Sequence, residues 1–371
     1  MEQPKSAPKY RRVYDALEQA IRGGRWQPGA RLPSEAELVG QFGASRITVG
    51  RAVRDLQRAG LVERRAGSGT YVKARSAAGA LSFGLLIPDL GETEIFEPIC
   101  RGMMASPLAR EHALVWGSEA GIAGAGPPES KAERAWRLCQ QYIERRVAGV
   151  FFAPLELAPD KDAVNRRIGD ALDAAGIPVV LLDRTILPFP GRGRHDLVGI
   201  DNRRAGYVMT EHLLGVGARR LAFVALGNAA ATVDAREAGY REALYRAGIA
   251  PEPGLVARLD PEHAASVRAL MAAERPDGIV CANDWTAARL MHTLLALGYA
   301  VPVDVRLVGI DDLEYARLLP VPLTTYRQPT RQIGDVALAV MLDRVARRDL
   351  PTRDVLLGGK LIVRRSSRAE G

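Results

Sequence analysis

The chain has 371 residues, 47% of them hydrophobic and 25% charged, and a net charge of +8. That length exceeds one small core and predicts two or three folded units, while so ordinary a composition excludes a fibrous, low-complexity or disulfide-stapled chain. Residues 1–75 hold 15 Lys and Arg against 7 Asp and Glu, so the whole excess charge lies in the first fifth and the remainder is neutral.

A basic head on a neutral body is the electrostatic footprint of a module that binds phosphate backbones. The opening MEQPKSAPKYRR has no apolar core, so no secretory leader is expected. No apolar run reaches the ~18 residues of a membrane span. The three cysteines, Cys100, Cys139 and Cys281, are far apart and lack metal-ligand spacing, which suits a reducing compartment. A cytoplasmic protein without membrane contact is expected.

From Tyr10 to Gly23, Val13, Leu17, Ala20 and Ile21 recur at helical spacing, and Gly23-Gly24 ends that helix. After the turn Gln27-Pro28-Gly29, Ser34 and Glu37 fit a capping box at the start of a second helix, which Gly43 breaks. Ser45 then caps a third helix carrying Val49, Ala52, Val53 and Leu56 on one face. Two short β-prone pieces, 61–64 and 70–72, flank the turn Arg65-Ala66-Gly67-Ser68-Gly69. Helix, helix-turn-helix and basic hairpin is the order of a winged helix. Its third helix presents Ser45, Arg46 and Thr48 at the end that reaches base edges in the major groove. Arg46 can bond a guanine bidentately, Arg64 and Arg65 add charge to the wing, and the glycines there allow close backbone approach.

The run PGARLPSEAELVGQFGASRITVGRAVRDLQRAGLVERRAGSGTYV resembles the GntR family of winged-helix regulators. The resemblance implies DNA contacts from Arg31, Ser34, Ser45, Arg46, Thr48 and the wing at Gly67, with Arg65 beside it. Family members often carry Arg at the positions of Ala36 and Gly50, which commonly touch DNA, so the resemblance implies DNA binding but does not carry an operator sequence over to this chain.

The head is therefore placed at 1–73, followed by a linker without large apolar residues at 74–80. From residue 81 to 371 short apolar runs alternate with helical stretches. Strand candidates are 81–88, 113–116, 149–153, 178–182, 197–200, 221–225, 278–281, 305–310 and 324–327. Continuous apolar strands separated by helices predict an α/β, doubly wound parallel sheet, and about 290 residues suggest two lobes. Polar residues follow many strands: Asp89, Asp183-Arg184, Asp201-Asn202, Asn283-Asp284 and Asp311-Asp312. In such sheets ligands sit beyond the C-terminal strand ends. A cleft of carboxylates and amides suits a hydroxyl-rich ligand, though Asp and Asn at these points also serve as helix caps.

The stretches FGLLIPDLGETEIFEPICRGM, GIPVVLLDR, VGIDNRRAGYVMTEHLLGVGARRLAFVAL and PDGIVCANDWTAARLMHTLLALGYAVPVDVRLVGIDDLEYARLLPVPLTTYRQP resemble the LacI family and the related periplasmic sugar-binding proteins. The resemblance implies a type I periplasmic-binding-protein-like body, two lobes joined by three crossovers with the ligand between them. Carried over by position, the ligand contacts are Asp89, Phe96, Asp183, Arg184, Arg236, Asn283 and Asp284, with Phe96 stacking on an apolar sugar face. Ile95 stands where sugar binders often place a second aromatic, and Glu92 or Glu94 could enter the site. The domain order resembles that of arabinose-responsive repressors.

No Gly-x-Ser-x-Gly elbow, phosphate-binding loop or paired-histidine motif occurs, and GIAGAG at 121–126 is followed by prolines instead of a helix. No cofactor, metal or catalytic residue is expected. An aminotransferase-like body would need a Schiff-base lysine, and Lys131, Lys161 and Lys360 lie in no suitable motif. The reading is a transcriptional regulator, a repressor, that binds operator DNA as a homodimer and answers to a carbohydrate-like effector. The alternative is a sugar-binding transport component with no DNA role.

Overall fold

The computed structural model describes residues 9–22, 25–26, 29–58, 61–65, 68–72, 80–88, 95–117 and 130–368. The chain divides into two compact units, 1–80 and 81–371. Of the expected linker only Ala80 lies within the described residues.

The first unit consists of α1 (Lys9–Arg22), α2 (Glu35–Phe42), α3 (Arg46–Arg58) and the hairpin β1 (Val62–Arg65) and β2 (Gly69–Val72). Val13 and Leu17 of α1, Leu38 of α2 and Val49, Ala52, Val53 and Leu56 of α3 are buried against Val62 and Val72 of the hairpin. The start of α2 is fixed reciprocally: Glu37 N–H donates to Ser34 Oγ at 3.3 Å and Ser34 N–H to Glu37 Oε2 at 2.7 Å. Gly43 ends that helix in the left-handed region. Residues 29–32 run beside β2 as a third strand, with Val72 N–H donating to the Ala30 carbonyl and Leu32 N–H to that of Thr70. Gly69 is required there. Its φ is +126°, and a Cβ would lie 2.7 Å from Arg31 Nε.

The second unit has two lobes. The first begins with β3 (Ser82–Leu86), α4 (Phe96–Ala105), β4 (Ala113–Trp116), α5 (Lys131–Glu144), β5 (Gly149–Phe152), α6 (Lys161–Ala174), β6 (Val179–Leu182) and β7 (Asp196–Ile200). The second holds α7 (Asn202–Gly215), β8 (Leu221–Ala225), α8 (Ala231–Arg246), β9 (Val256–Arg258), α9 (Ala264–Glu274), β10 (Gly278–Cys281), α10 (Asp284–Ala296), β11 (Arg306–Asp311) and β12 (Thr324–Arg327). The chain then returns to the first lobe with α11 (Thr330–Ala346) and β13 (Asp354–Leu357) and ends in the second with β14 (Lys360–Ile362). The sheet orders are β4-β3-β5-β6-β7-β13, parallel throughout, and β9-β8-β10-β11-β12-β14, parallel except for β14. The lobes are thus joined three times, at residues 200–202, 328–329 and 358–359.

The central strands are unbroken apolar runs because helices cover both faces: every residue of β5, β6, β8 and β10 is buried. Each lobe also contains one helix pair in glycine-mediated contact. A Cβ on Gly206 of α7 would lie 2.0 Å from the Arg236 carbonyl oxygen of α8, and one on Gly239 of α8 1.9 Å from that of Arg203. In the first lobe Gly102 of α4 and Gly334 of α11 approach Arg331 and Ile99 in the same way. Only glycine permits backbones this close.

Candidate functional site

The C-terminal ends of β6, β8, β10 and β11 deliver Asp183, Leu226, Asn283 and Asp311 to one cavity of about 390 Å³ between the lobes of the second unit. This is where parallel sheets leave room for a ligand, since the strands stop and the following helices diverge. The first lobe contributes Ile95, Lys131, Glu156, Asp183 and Arg184 to the lining, and the second Arg236, Asn283, Trp285, Arg289, Asp311 and Tyr315.

Arg236 is buried and held rigidly. Its Nε donates to Asn202 Oδ1 at 2.8 Å and its Nη1 to the Ala282 carbonyl at 2.6 Å, while Nη2 lies 3.9 Å from Asp311 Oδ1. A guanidinium fixed on two sides loses little further entropy when a ligand meets it. Asp311 accepts a hydrogen bond from Gln328 Nε2 at 2.7 Å. Burial pushes its carboxyl up to about 8, against the pull of Arg236 and with the push of Asp284 and Asp183. Asp183 is raised for the same first reason, burial, although Arg184 and Arg236 oppose it. Its Oδ1 is buried without a hydrogen-bond partner among the described residues. Asp183 lines the cavity, so this buried orphaned oxygen is an acceptor that a ligand's donor would satisfy on reaching it. Arg184 pairs with Glu156 and lies 3.5 Å from Asp183 Oδ2.

Backbone geometry aims these groups. Asp183 and Asp311 both have positive φ, 67° and 131°, conformations L-residues rarely adopt and that surrounding structure must impose. Asn283 caps α10, its Oδ1 accepting from Thr286 N–H at 2.9 Å. Trp285 and Arg289, one turn apart on α10, stack with the guanidinium 3.8 Å from the ring centroid.

Of the residues expected to touch a ligand, Asp183, Arg184, Arg236 and Asn283 share this cavity. Asp89 lies outside the described residues, as do Glu92 and Glu94. Phe96 and Asp284 do not line the cavity. Phe96 is 1% exposed in the first-lobe core, with the Arg184 guanidinium 5.2 Å from its ring centroid, and its neighbour Ile95 faces the cavity instead. Asp284 is fully buried behind the wall. Thr325 Oγ1 donates to its Oδ1 at 2.6 Å and Leu313 N–H to its Oδ2 at 3.0 Å, in space that Gly309 leaves open. Asp311, a strand-exit carboxylate left out of the expected ligand set, occupies the wall itself. Glu156, Trp285, Arg289 and Tyr315 were also missed; they come from loops and a helix's first turns, where no periodic pattern marks them.

In the head, Ser45, Arg46 and Thr48 stand at the start of α3. Thr48 N–H donates to Ser45 Oγ at 3.2 Å, and the two hydroxyls share a hydrogen bond of 2.8 Å. Arg46 is exposed. Ser34 serves as the cap of α2. Arg31 and Arg65 flank the hairpin: Arg31 bridges to Tyr71, and Arg65 lies 4.6 Å from the centroid of the Tyr71 ring. Glu35 of α2 and Arg64 of β1 form an ion pair at 2.5 Å that ties the hairpin to the helices. Gly67 lies outside the described residues. No described helix is long and apolar enough to cross a membrane, and no described group of His, Cys, Asp and Glu could hold a metal ion.

Residues 9–72 match the family of bacterial regulatory proteins called gntR, and residues 210–367 match the periplasmic binding protein-like domain. The arabinose metabolism transcriptional repressor of Geobacillus stearothermophilus is 26% identical over 376 residues, covering 98% of this chain and 99% of its own. Among solved structures, the transcription regulator GntR from Chromobacterium violaceum is 28% identical with a TM-score of 0.59, covering 77% of this chain and 99% of that one. A transcriptional regulator CelR–cellobiose complex is 24% identical with a TM-score of 0.64, covering 97% of this chain and all of that one. These relatives are regulators, which sets aside a transport component. The chain joins a head that matches the gntR regulatory proteins to a body that matches the periplasmic binding protein-like domain over residues 210–367, and is a ligand-regulated, DNA-binding transcriptional repressor.

Proposed function

We propose that the chain represses transcription in the cytoplasm as a homodimer on a pseudo-palindromic operator, and that a sugar or sugar derivative in the cleft releases it. The observation that carries this reading is the cleft's chemistry: the buried, unpartnered Asp183 Oδ1 and the fixed Arg236 guanidinium face one cavity from different lobes. A sugar hydroxyl both donates and accepts, so neighbouring hydroxyls can serve a carboxylate and a guanidinium at once. Trp285 offers an apolar face of the kind sugar C–H groups cover. Similarity along the whole chain to a repressor of arabinose metabolism supports the same class of effector.

Asp183 and Arg184 would hold the effector from the first lobe, and Arg236, Asn283 and Asp311 from the second; Asp89 is a further contact implied by the sequence resemblance alone. Phe96 and Asp284 would act from behind, by positioning Arg184 and Leu313. Because the ligand contacts both lobes, it favours the arrangement that brings them together. It releases DNA to the extent that this arrangement binds operator less tightly. On the DNA side Arg46 would read a base edge, Ser45 and Thr48 a base or phosphate, and Arg31, Ser34, Arg65 and the wing at Gly67 the backbone. The effector is bound and released unchanged; no catalytic residue takes part.

A thermal-shift screen of the full chain against L-arabinose, D-ribose, cellobiose and sugar acids tests the cleft. A ligand at 100 times its dissociation constant stabilises by about 2.7 kcal/mol, and Arg236→Ala should abolish that shift. A screen in which the variant responds like the parent removes the cleft from the account. Separately, Arg46→Ala should weaken binding to a selected operator at least tenfold at physiological salt, the loss of one bidentate base contact.

A further inference from the structure

α3 has a buried face, Val49, Ala52, Val53 and Leu56, and an opposite face on which Ile47, Arg51 and Arg54 follow at i, i+4 and i+7. Along a helix that spacing forms one outward stripe. Two of its members are arginines, as expected for a surface that meets phosphates. The first is an isoleucine, 82% exposed. Among the described residues of the head it is the one large apolar side chain so exposed. Folding gains nothing from it, since the core contacts of α3 are made on the other face. As a β-branched residue near a helix start it also adds no helix propensity.

Its position gives it a use. Ile47 follows Arg46 directly, at the end of the helix that meets base edges. The major groove presents one apolar group, the C5 methyl of thymine. An isoleucine offers a stiff, branched apolar surface to such a group and no hydrogen bond to any other base edge. Gly50, one turn further on, carries no side chain that would cover it. We propose that Ile47 is a specificity-determining residue that packs on a thymine methyl in each operator half-site, beside the base read by Arg46.

This rests on α3 being the reading helix, and the test separates the two ideas. Operators are selected from random duplex DNA with the full chain. Each thymine of the selected consensus is then replaced by deoxyuridine, which removes the methyl and leaves every hydrogen-bonding group. Burial of one methyl corresponds to about 0.8 kcal/mol, so one thymine per half-site should show a loss of about fourfold in affinity when replaced. Ile47→Ala should bind the thymine and uracil operators alike, at the level of the parent on uracil. Arg46→Ala should bind both more weakly and keep the fourfold ratio. A parent indifferent to every uracil replacement, or an Ile47→Ala variant that keeps the ratio, overturns the proposal. An Arg46→Ala variant that binds like the parent overturns instead the assignment of the helix. Ile47→Ala should melt at the parent's temperature, because the side chain packs against nothing in the core.

Discussion

Gln328 donates from Nε2 to Asp311 Oδ1 at 2.7 Å, and so joins a crossover between the lobes to a carboxylate on the cavity wall. Gln328 follows β12, where the chain leaves the second lobe for α11 of the first. A ligand that bonds Asp311 would therefore bear on this crossover as well. Gln328→Met keeps the volume and removes the donor. Asp311 is uncharged near neutral pH, and a hydrogen bond between neutral groups contributes about 1 kcal/mol, so effector affinity should fall roughly fivefold. Titration calorimetry with whichever ligand the screen identifies measures this; an unchanged affinity would show that Asp311 needs no orientation from the crossover.

The buried carboxyls make the body's stability depend on pH. Burial raises Asp311 to about 8 and Asp284 to about 6, against about 3.9 in an unfolded chain. Between those values the folded state holds protons that the unfolded state has lost. Stability is therefore greatest below about 4 for these two groups and declines as pH rises, through about 6 for Asp284 and about 8 for Asp311. Asp311→Asn removes the larger part of that decline. Its melting temperature should lie above the parent's at pH 8 and approach it near pH 5, as followed by circular dichroism without ligand. A parent that melts at the same temperature from pH 5 to pH 8 would show that Arg236 holds Asp311 ionised throughout.

The fold was largely legible where the strands are central. The runs at 149–153, 178–182, 221–225 and 278–281 are apolar without interruption because both faces are covered, and no other local structure explains such short runs bounded by turns. β9, β13 and β14 escaped notice because they sit at or next to sheet edges. The residues of β13 alternate between exposed and half-buried, and its partner β7 lies far away in the chain. The site was half legible. Asp183, Arg184 and Asn283 could be found as polar residues just past apolar strands, and Arg236 through family resemblance. Only the folded backbone separates Asp284 from Asp311: φ of 131° turns Asp311 to the cleft, and the space above Gly309 accommodates Asp284 in the interior. Residue type and strand-exit position are the same for both.

The α7–α8 glycine contact predicts a coupled loss of stability and binding. Gly206→Ala would place a Cβ 2.0 Å from the Arg236 carbonyl oxygen, and backbone on both sides cannot yield without moving a helix. Overpacking of this kind costs about 3 kcal/mol. The displaced helix carries Arg236, so effector affinity should fall with stability. Gly102→Ala creates the same clash in the first lobe, 2.2 Å from the Arg331 carbonyl oxygen, and α11 carries no residue of the cavity wall. It should lower the melting temperature comparably and leave the affinity of the surviving folded protein closer to that of the parent. Denaturant titration and calorimetry on both variants distinguish the two. Equal losses of affinity would mean that either helix pair shapes the cleft.

Asp284 offers the sharpest distinction between touching a ligand and supporting the residues that do. Its two oxygens take the Thr325 hydroxyl and the Leu313 N–H, and neither faces the cavity. Asp284→Ala leaves both donors without their acceptor in a closed interior, a penalty of about 1–3 kcal/mol. Removing a buried carboxyl that burial disfavours offsets part of this at high pH, so the net destabilisation should be larger at pH 5 than at pH 8. Leu313 lines the cavity and will loosen, so affinity should drop only a fewfold, whereas Arg236→Ala should eliminate measurable binding. If Asp284→Ala, still folded by circular dichroism, abolishes binding as completely as Arg236→Ala, then Asp284 reaches the ligand after the lobes close and the wall described by the open cavity is not the one the effector meets.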